Sequence, residues 1–119
     1  MAAFKMPKDT DEAKKARSAA IQDATKGAAL VPFKVGQKAN ELFALAETVI
    51  TKGNQNAITD GAVAAMNARA AVRGAFLNVK INLGSIKDAL FVEDLKKRMA
   101  EIEKDVDARE KALLDQVKL

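Results

Sequence analysis

The sequence predicts an all-α protein: a long kinked helix and two further helices, bundled as part of a larger helical assembly. Apolar residues recur at steps of three or four along most of the 119 residues, and no alternating strand pattern stands out. Only two prolines and six glycines interrupt the chain. Alanine dominates an apolar fraction of 49%, and aromatics make up 4%, so the helices carry small faces that allow close backbone approach. The length is that of one small domain, residues 1–119.

Composition removes several chemistries. With no Cys and no His, thiolate nucleophiles, disulfides, imidazole bases and ordinary zinc sites are out of reach, so no metal is expected. Acid–base work falls to Asp, Glu or Lys. No apolar run is long enough for a membrane span and MAAFKMPKDT lacks a signal-peptide core, which makes a cytoplasmic protein the expectation. The net charge of +4 is spread along the chain, with nine positive and six negative residues in 1–52, four and one in 53–87, and seven and nine in 88–119. With no aromatic stacking platform this is a weak nucleic-acid signal, and it fits a small anionic ligand at least as well.

Residues 1–8 read as the last turn of a helix stopped by Pro7. Thr10 then caps a new helix, with Asp11 and Glu12 in its first turn. Its stripe is Ala13, Ala16, Ala20, Ala24, Ala28, Val31, Val35, Ala39, Leu42, Leu45 and Val49. The stripe keeps its phase across Pro32, which predicts one helix over about 11–52, bent at the proline and ended by Gly53. Gly27 and Gly36 flank the bend and would admit another backbone. Lys34 and Lys38 read as solvated charges; Arg17 stands at the edge of the stripe.

The stretch Gly53 to Leu83 predicts a turn and a small-residue helix, with Thr59 as N-cap, Ile58 and Val63 as a hydrophobic staple and Asp60 in the first turn. On a helical wheel Asp60, Asn67, Ala71, Gly74, Asn78 and Asn82 share one face. Val63, Met66, Ala70, Leu77 and Ile81 form an apolar face, flanked by Arg69, Arg73 and Lys80. Mid-helix asparagines have poor propensity. They either hydrogen-bond a neighbouring helix or sit exposed, which chemistry alone favours, or they line a polar, helix-walled pocket. Ser85 and Asp88 resemble a capping box for a last helix, from Ile86 or Asp88 to Gln116, with the stripe Phe91, Leu95, Met99, Ile102, Val106, Arg109, Leu113 and Val117. The apolar faces exceed what three helices can cover in one another, so a homo-oligomer or absent helices are expected.

The segments KMPKDTDEAKKARSAAIQDATKGAALVPFKV, GNQNAITDGAVAAMNARAAVRGAFLNVKINL and IKDALFVEDL resemble the C-terminal part of the formiminotransferase-cyclodeaminase family, which includes methenyltetrahydrofolate cyclohydrolases. The resemblance covers nearly the whole chain. Departures are Thr59 where Ser is usual and Gly61-Ala62 where Ala-Gly is usual. The resemblance implies an all-helical dimer or larger assembly and a tetrahydrofolate derivative as substrate, bound between helices near the subunit interface. It implies loss of ammonia from a formimino group or addition of water to a methenyl bridge. In either, carboxylates move protons and offset cationic charge. The implied substrate-binding residues are Arg17, Asp60, Asn78 and Asn82, with Arg17 or the Arg69/Arg73 flank near the anionic glutamate tail. Asp60 is the candidate catalytic carboxylate. The family's Pro-Gly-Gly-Gly-Ser segment and acidic segment have no counterpart in these residues, so the chain alone is expected to be an incomplete enzyme. The alternative is a non-catalytic helical assembly module that keeps the family's packing face; a basic nucleic-acid-binding protein is a weaker third.

Overall fold

The computed structural model describes residues 2–118. A short 3-10 turn, Ala2–Lys5, precedes helix α1 at Asp11–Lys52; a second 3-10 turn at Gln55–Ala57 leads into α2 at Ile58–Leu83, and α3 follows at Ala89–Asp115. The molecule is a rod of 68 × 23 × 16 Å, because α1 alone is about 63 Å long at about 1.5 Å per residue.

Thr10 caps α1 as its sequence position predicts, accepting a hydrogen bond from the Ala13 amide at 3.0 Å. Gly53 ends the helix, donating its amide to the Val49 carbonyl at 2.9 Å. The start of α2 differs from the expectation. Asn54, not Thr59, is the capping side chain: it accepts from the Ala57 amide at 3.1 Å and closes the 3-10 turn, so the chain is already helical when it reaches Ile58. The Ser85–Asp88 box is likewise replaced by Asp88 alone, which accepts from the Phe91 amide at 3.2 Å.

Helix α1 runs unbroken through Pro32. Proline has no N–H, so the Ala28 carbonyl four residues earlier loses its helical partner. Asn82 of α2 supplies one instead, its Nδ2 donating to the Ala28 carbonyl at 3.4 Å and to its own helix at Asn78 O at 2.9 Å. This gives one of the mid-helix asparagines a structural task. A double-mutant cycle checks it: Asn82→Ala should destabilise by about 0.5–1.5 kcal/mol more in the native background than beside Pro32→Ala, which restores the missing donor. Equal costs in both backgrounds would show that the contact carries nothing.

The core lies between α1 and α2. Helix α1 buries Ala29, Phe33, Gly36, Ala39, Phe43, Ala46 and Ile50, and α2 buries Ala65, Ala68, Val72, Phe76, Val79 and Leu83. The rings of Phe33 and Phe76 stack with centroids 5.9 Å apart. Helix α3 closes one side of this hairpin with Leu95, Met99, Val106 and Leu113.

Two predicted stripes are corrected by this packing. Of the expected α1 stripe, Val31, Val35, Leu42 and Leu45 are exposed, and on α2 so are Val63, Met66, Leu77 and Ile81. The rows picked out by periodicity are, apart from residues such as Ala39, not the ones that meet. The rows that meet carry the phenylalanines, which have far more apolar surface to remove from water.

Candidate functional site

Helix α3 is fixed to α2 by a ladder of ion pairs. Lys80 Nζ stands 3.1 Å from Glu103, Arg73 forms a two-pronged pair with Asp107 at 2.8 and 3.2 Å, and Arg69 Nε reaches Glu110 at 2.6 Å. Toward α1, the Arg98 guanidinium of α3 lies 4.6 Å from the Phe33 ring centroid, and that of Arg109 lies 4.7 Å from Phe43 while donating to Asn40 Oδ1 at 3.1 Å. Arg109, which interrupts the apolar stripe of α3, is therefore a packing residue. Lys26 joins α1 to the start of α3 through Asp88 at 2.8 Å.

These contacts engage Arg69 and Arg73, so the α2 flank expected to meet a glutamate tail is committed to α3. They also set a pH dependence. The Arg73 hydrogen bond holds Asp107 below the usual carboxylate range, and the Lys26 bond together with the Phe91 amide does the same for Asp88. A lowered folded-state pKa contributes stability that is fully present above the unfolded carboxylate value, about 3.9, and is lost as pH falls through the folded one. The melting temperature should accordingly hold steady from neutral pH down to the carboxylate range and fall below it. Asp107→Asn should flatten the part of that fall due to its own titration, as seen by circular dichroism.

The side of the hairpin away from α3 is uncovered among the described residues. A groove of about 490 Å³ runs there between Val35, Ala39 and Leu42 of α1 and Ala71 of α2, rimmed by Lys34 and Lys38. The asparagine face of α2 borders it. A smaller cavity of about 190 Å³ lies between α1 and α3, lined by Phe43, Glu47, Arg109 and Gln116 among others. Neither is lined by Arg17, Asp60, Asn78 or Asn82.

Asn78 and Asn82 lie one turn apart on α2, and the Asn82 side-chain amide donates to the Asn78 backbone carbonyl at 2.9 Å. Arg17 belongs to the same end of the rod, beyond the point where α1 passes Ser85 through Gln22. Its guanidinium covers the Phe4 ring at 5.7 Å and Nη2 reaches the Phe4 carbonyl at 3.4 Å, while its buried Nε finds no hydrogen-bond partner among the described residues. Asp60 is exposed at the opposite end of α2, about 27 Å from Asn78 along the helix axis at about 1.5 Å per residue. Within one copy it does not join the asparagines. Among the described residues no three His, Cys, Asp or Glu side chains gather where a metal ion could bind, and no helix is long and apolar enough to cross a membrane.

The fold and this face define a class: an alanine-rich helical hairpin, backed by a third helix, with one polar-and-small face left open. The chain belongs to the formiminotransferase-cyclodeaminase family, whose pattern matches residues 1–101. It is 44% identical over 103 residues to a methenyltetrahydrofolate cyclohydrolase of Methylorubrum extorquens, covering 87% of this chain and 48% of that protein. It is 31% identical over 102 residues to a formimidoyltransferase-cyclodeaminase of Rattus norvegicus, covering 86% and 19%, and 30% identical over 115 residues to one of Sus scrofa, covering 97% and 21%. The chain thus spans about half the length of the cyclohydrolase and about a fifth of the two larger proteins.

Proposed function

We propose that the chain serves folate-dependent one-carbon metabolism in the cytoplasm as part of a cyclohydrolase-type enzyme that opens the methenyl bridge of a tetrahydrofolate. The observation that carries this is the 44% identity to the cyclohydrolase across 87% of the chain. The open face, with Asn78 and Asn82 beside small residues and Arg17 at the same end, supports a flat, partly anionic ligand.

In this reading water attacks the bridging carbon between the two folate nitrogens and a carboxylate takes its proton. One carbon–nitrogen bond then breaks as its nitrogen gains a proton, leaving a formyl group. A carboxylate also stabilises the cationic bridge electrostatically before attack. Asp60 is the carboxylate this chain offers on the asparagine face of α2. Asn78 and Asn82 position the ring system, and Arg17 takes the anionic tail. The chain acts as a homo-oligomer and takes no metal.

Thermal melts with methenyltetrahydrofolate test the reading. Ligand bound to the native state raises the melting temperature. Asn78→Ala should lose most of that rise while its unliganded melt stays close to the original. The chain alone should barely accelerate loss of the methenyl chromophore. No ligand-induced rise in the original protein would sink the folate reading, whereas full turnover would make Asp60 the first catalytic candidate. The two uncovered apolar rows favour a second reading, an assembly module without turnover, which predicts self-association with no ligand effect.

A further inference from the structure

We propose that the cavity between α1 and α3 binds a small aliphatic α-amino acid. Its walls are two rows at helical spacing, Phe43 and Glu47 of α1 and Arg109, Ala112, Leu113 and Gln116 of α3. The four on α3 lie beyond residues 1–101, the stretch that matches the family pattern. Arg17, Asp60, Asn78 and Asn82 do not line it, so the site is separate from the folate reading and does not rest on it.

Arg109 carries the first part of the argument. Its Nη1 donates to Asn40 Oδ1 at 3.1 Å and its guanidinium lies over the Phe43 ring. Among the described residues no carboxylate stands within 4 Å of it, whereas Arg69, Arg73 and Arg98 each have one. A ring face and one amide oxygen only partly offset the cost of half-burying a cation. The remaining N–H groups of the guanidinium fork sit at a cavity wall, where they suit a carboxylate held by two parallel hydrogen bonds.

The rest of the cavity has the complementary character. Glu47 lines it and pairs with no cation among the described residues. Gln116 donates its amide to the Ala112 carbonyl at 3.4 Å, which leaves its carboxamide oxygen as an acceptor. A carboxylate and an amide oxygen suit an ammonium group, which has three N–H donors and no acceptor. The floor is apolar: Phe43 is fully buried and Leu113 nearly so, while Ala112 is too short to fill the space. The volume of about 190 Å³ would hold about six waters at about 30 Å³ each. That is room for a short aliphatic side chain with its two charged groups, and too little for a nucleotide or a folate.

L-Valine is the probe, with isovalerate as the analogue lacking the ammonium group and isobutylamine as the one lacking the carboxylate. On the isotope-labelled protein followed by NMR, valine should give saturable shifts at the amides of Phe43, Glu47, Leu113 and Gln116. Both analogues should bind more weakly. Glu47→Gln should weaken valine about threefold, as suits an exposed charge pair, and should not weaken isovalerate. Arg109→Lys keeps the charge but loses the fork, and should weaken valine and isovalerate about tenfold. Ala112→Leu fills the cavity from an exposed helical position, so it should abolish the valine shifts with the helical signal intact. An original protein without saturable valine shifts, shifts centred on another surface, or an Ala112→Leu chain that binds as before would overturn the site. Isovalerate binding as tightly as valine, or a Glu47→Gln chain that still binds valine fully, would overturn the assignment of an amino acid.

Discussion

Phe76→Ala will leave the chain unfolded or close to it at physiological temperature. Phe76 is fully buried, stacks on Phe33 and covers the backbone at Gly36. Removing such a ring costs about 3–5 kcal/mol in lost transfer energy and in the cavity left behind. A domain of this size has about 5–15 kcal/mol in total. The facing helices bury many alanines, among them Ala29, Ala39, Ala65 and Ala68, whose short side chains have little reach to fill the hole. Urea unfolding followed by circular dichroism would measure the loss. A cost below about 1 kcal/mol would mean that the hairpin is held chiefly by its alanine contacts, contrary to the packing argued from the rings.

Gly36→Val will be the next most damaging change, for the opposite reason. A β-carbon at position 36 would overlap the Phe76 ring, with Cδ1 at 2.7 Å and Cζ at 2.9 Å and Cε1 closer still. Both groups are buried and the ring is pinned by Phe33, so it has no open direction in which to yield. Overpacking of this kind costs about 1–3 kcal/mol, far more than the few tenths that replacing glycine returns in helix propensity. The two changes should be strongly non-additive, because Phe76→Ala empties the space that the side chain added by Gly36→Val needs. A double variant less stable than Phe76→Ala by the full cost of Gly36→Val would show that the clash lies elsewhere.

The relation between the two residues explains how far the sequence could be read. Phe33 and Gly36 sit one turn apart on α1 and meet one residue of α2, a contact visible only once the register of the hairpin is known. The spacing of Ala29, Phe33, Gly36, Ala39, Phe43, Ala46 and Ile50 is as regular as that of the alanine row beside it. Periodicity identifies a helix equally well from either row and cannot choose between them. Ring volume was the signal that could have chosen, since the row with the aromatics has more to gain by burial.

Much of the candidate site divides the same way. The wheel placed Asp60, Asn78 and Asn82 on one face because angle around a helix follows from residue number alone. Distance along the axis follows too, and it already separates Asp60 from the asparagines. What no single helix reveals is which free backbone group a polar side chain will meet. Asn82 reaches Ala28 because Pro32 freed that carbonyl and because α1 and α2 run antiparallel in one particular register. Arg69 and Arg73 were legible as a basic flank, but their partners Glu110 and Asp107 lie on another helix.

By itself, the sequence determined the helices, the Thr10 cap, the continuity of α1 across Pro32 and the family. Each of these depends on residues close together in the chain or on a pattern of residue types. The tertiary structure alone decided which apolar rows form the core, which cations are taken by α3 and which face of α2 is left open. Those depend on how three rods dock. Docking is governed by the volume of a few large side chains and the charges opposite them, and neither is a property of any one helix.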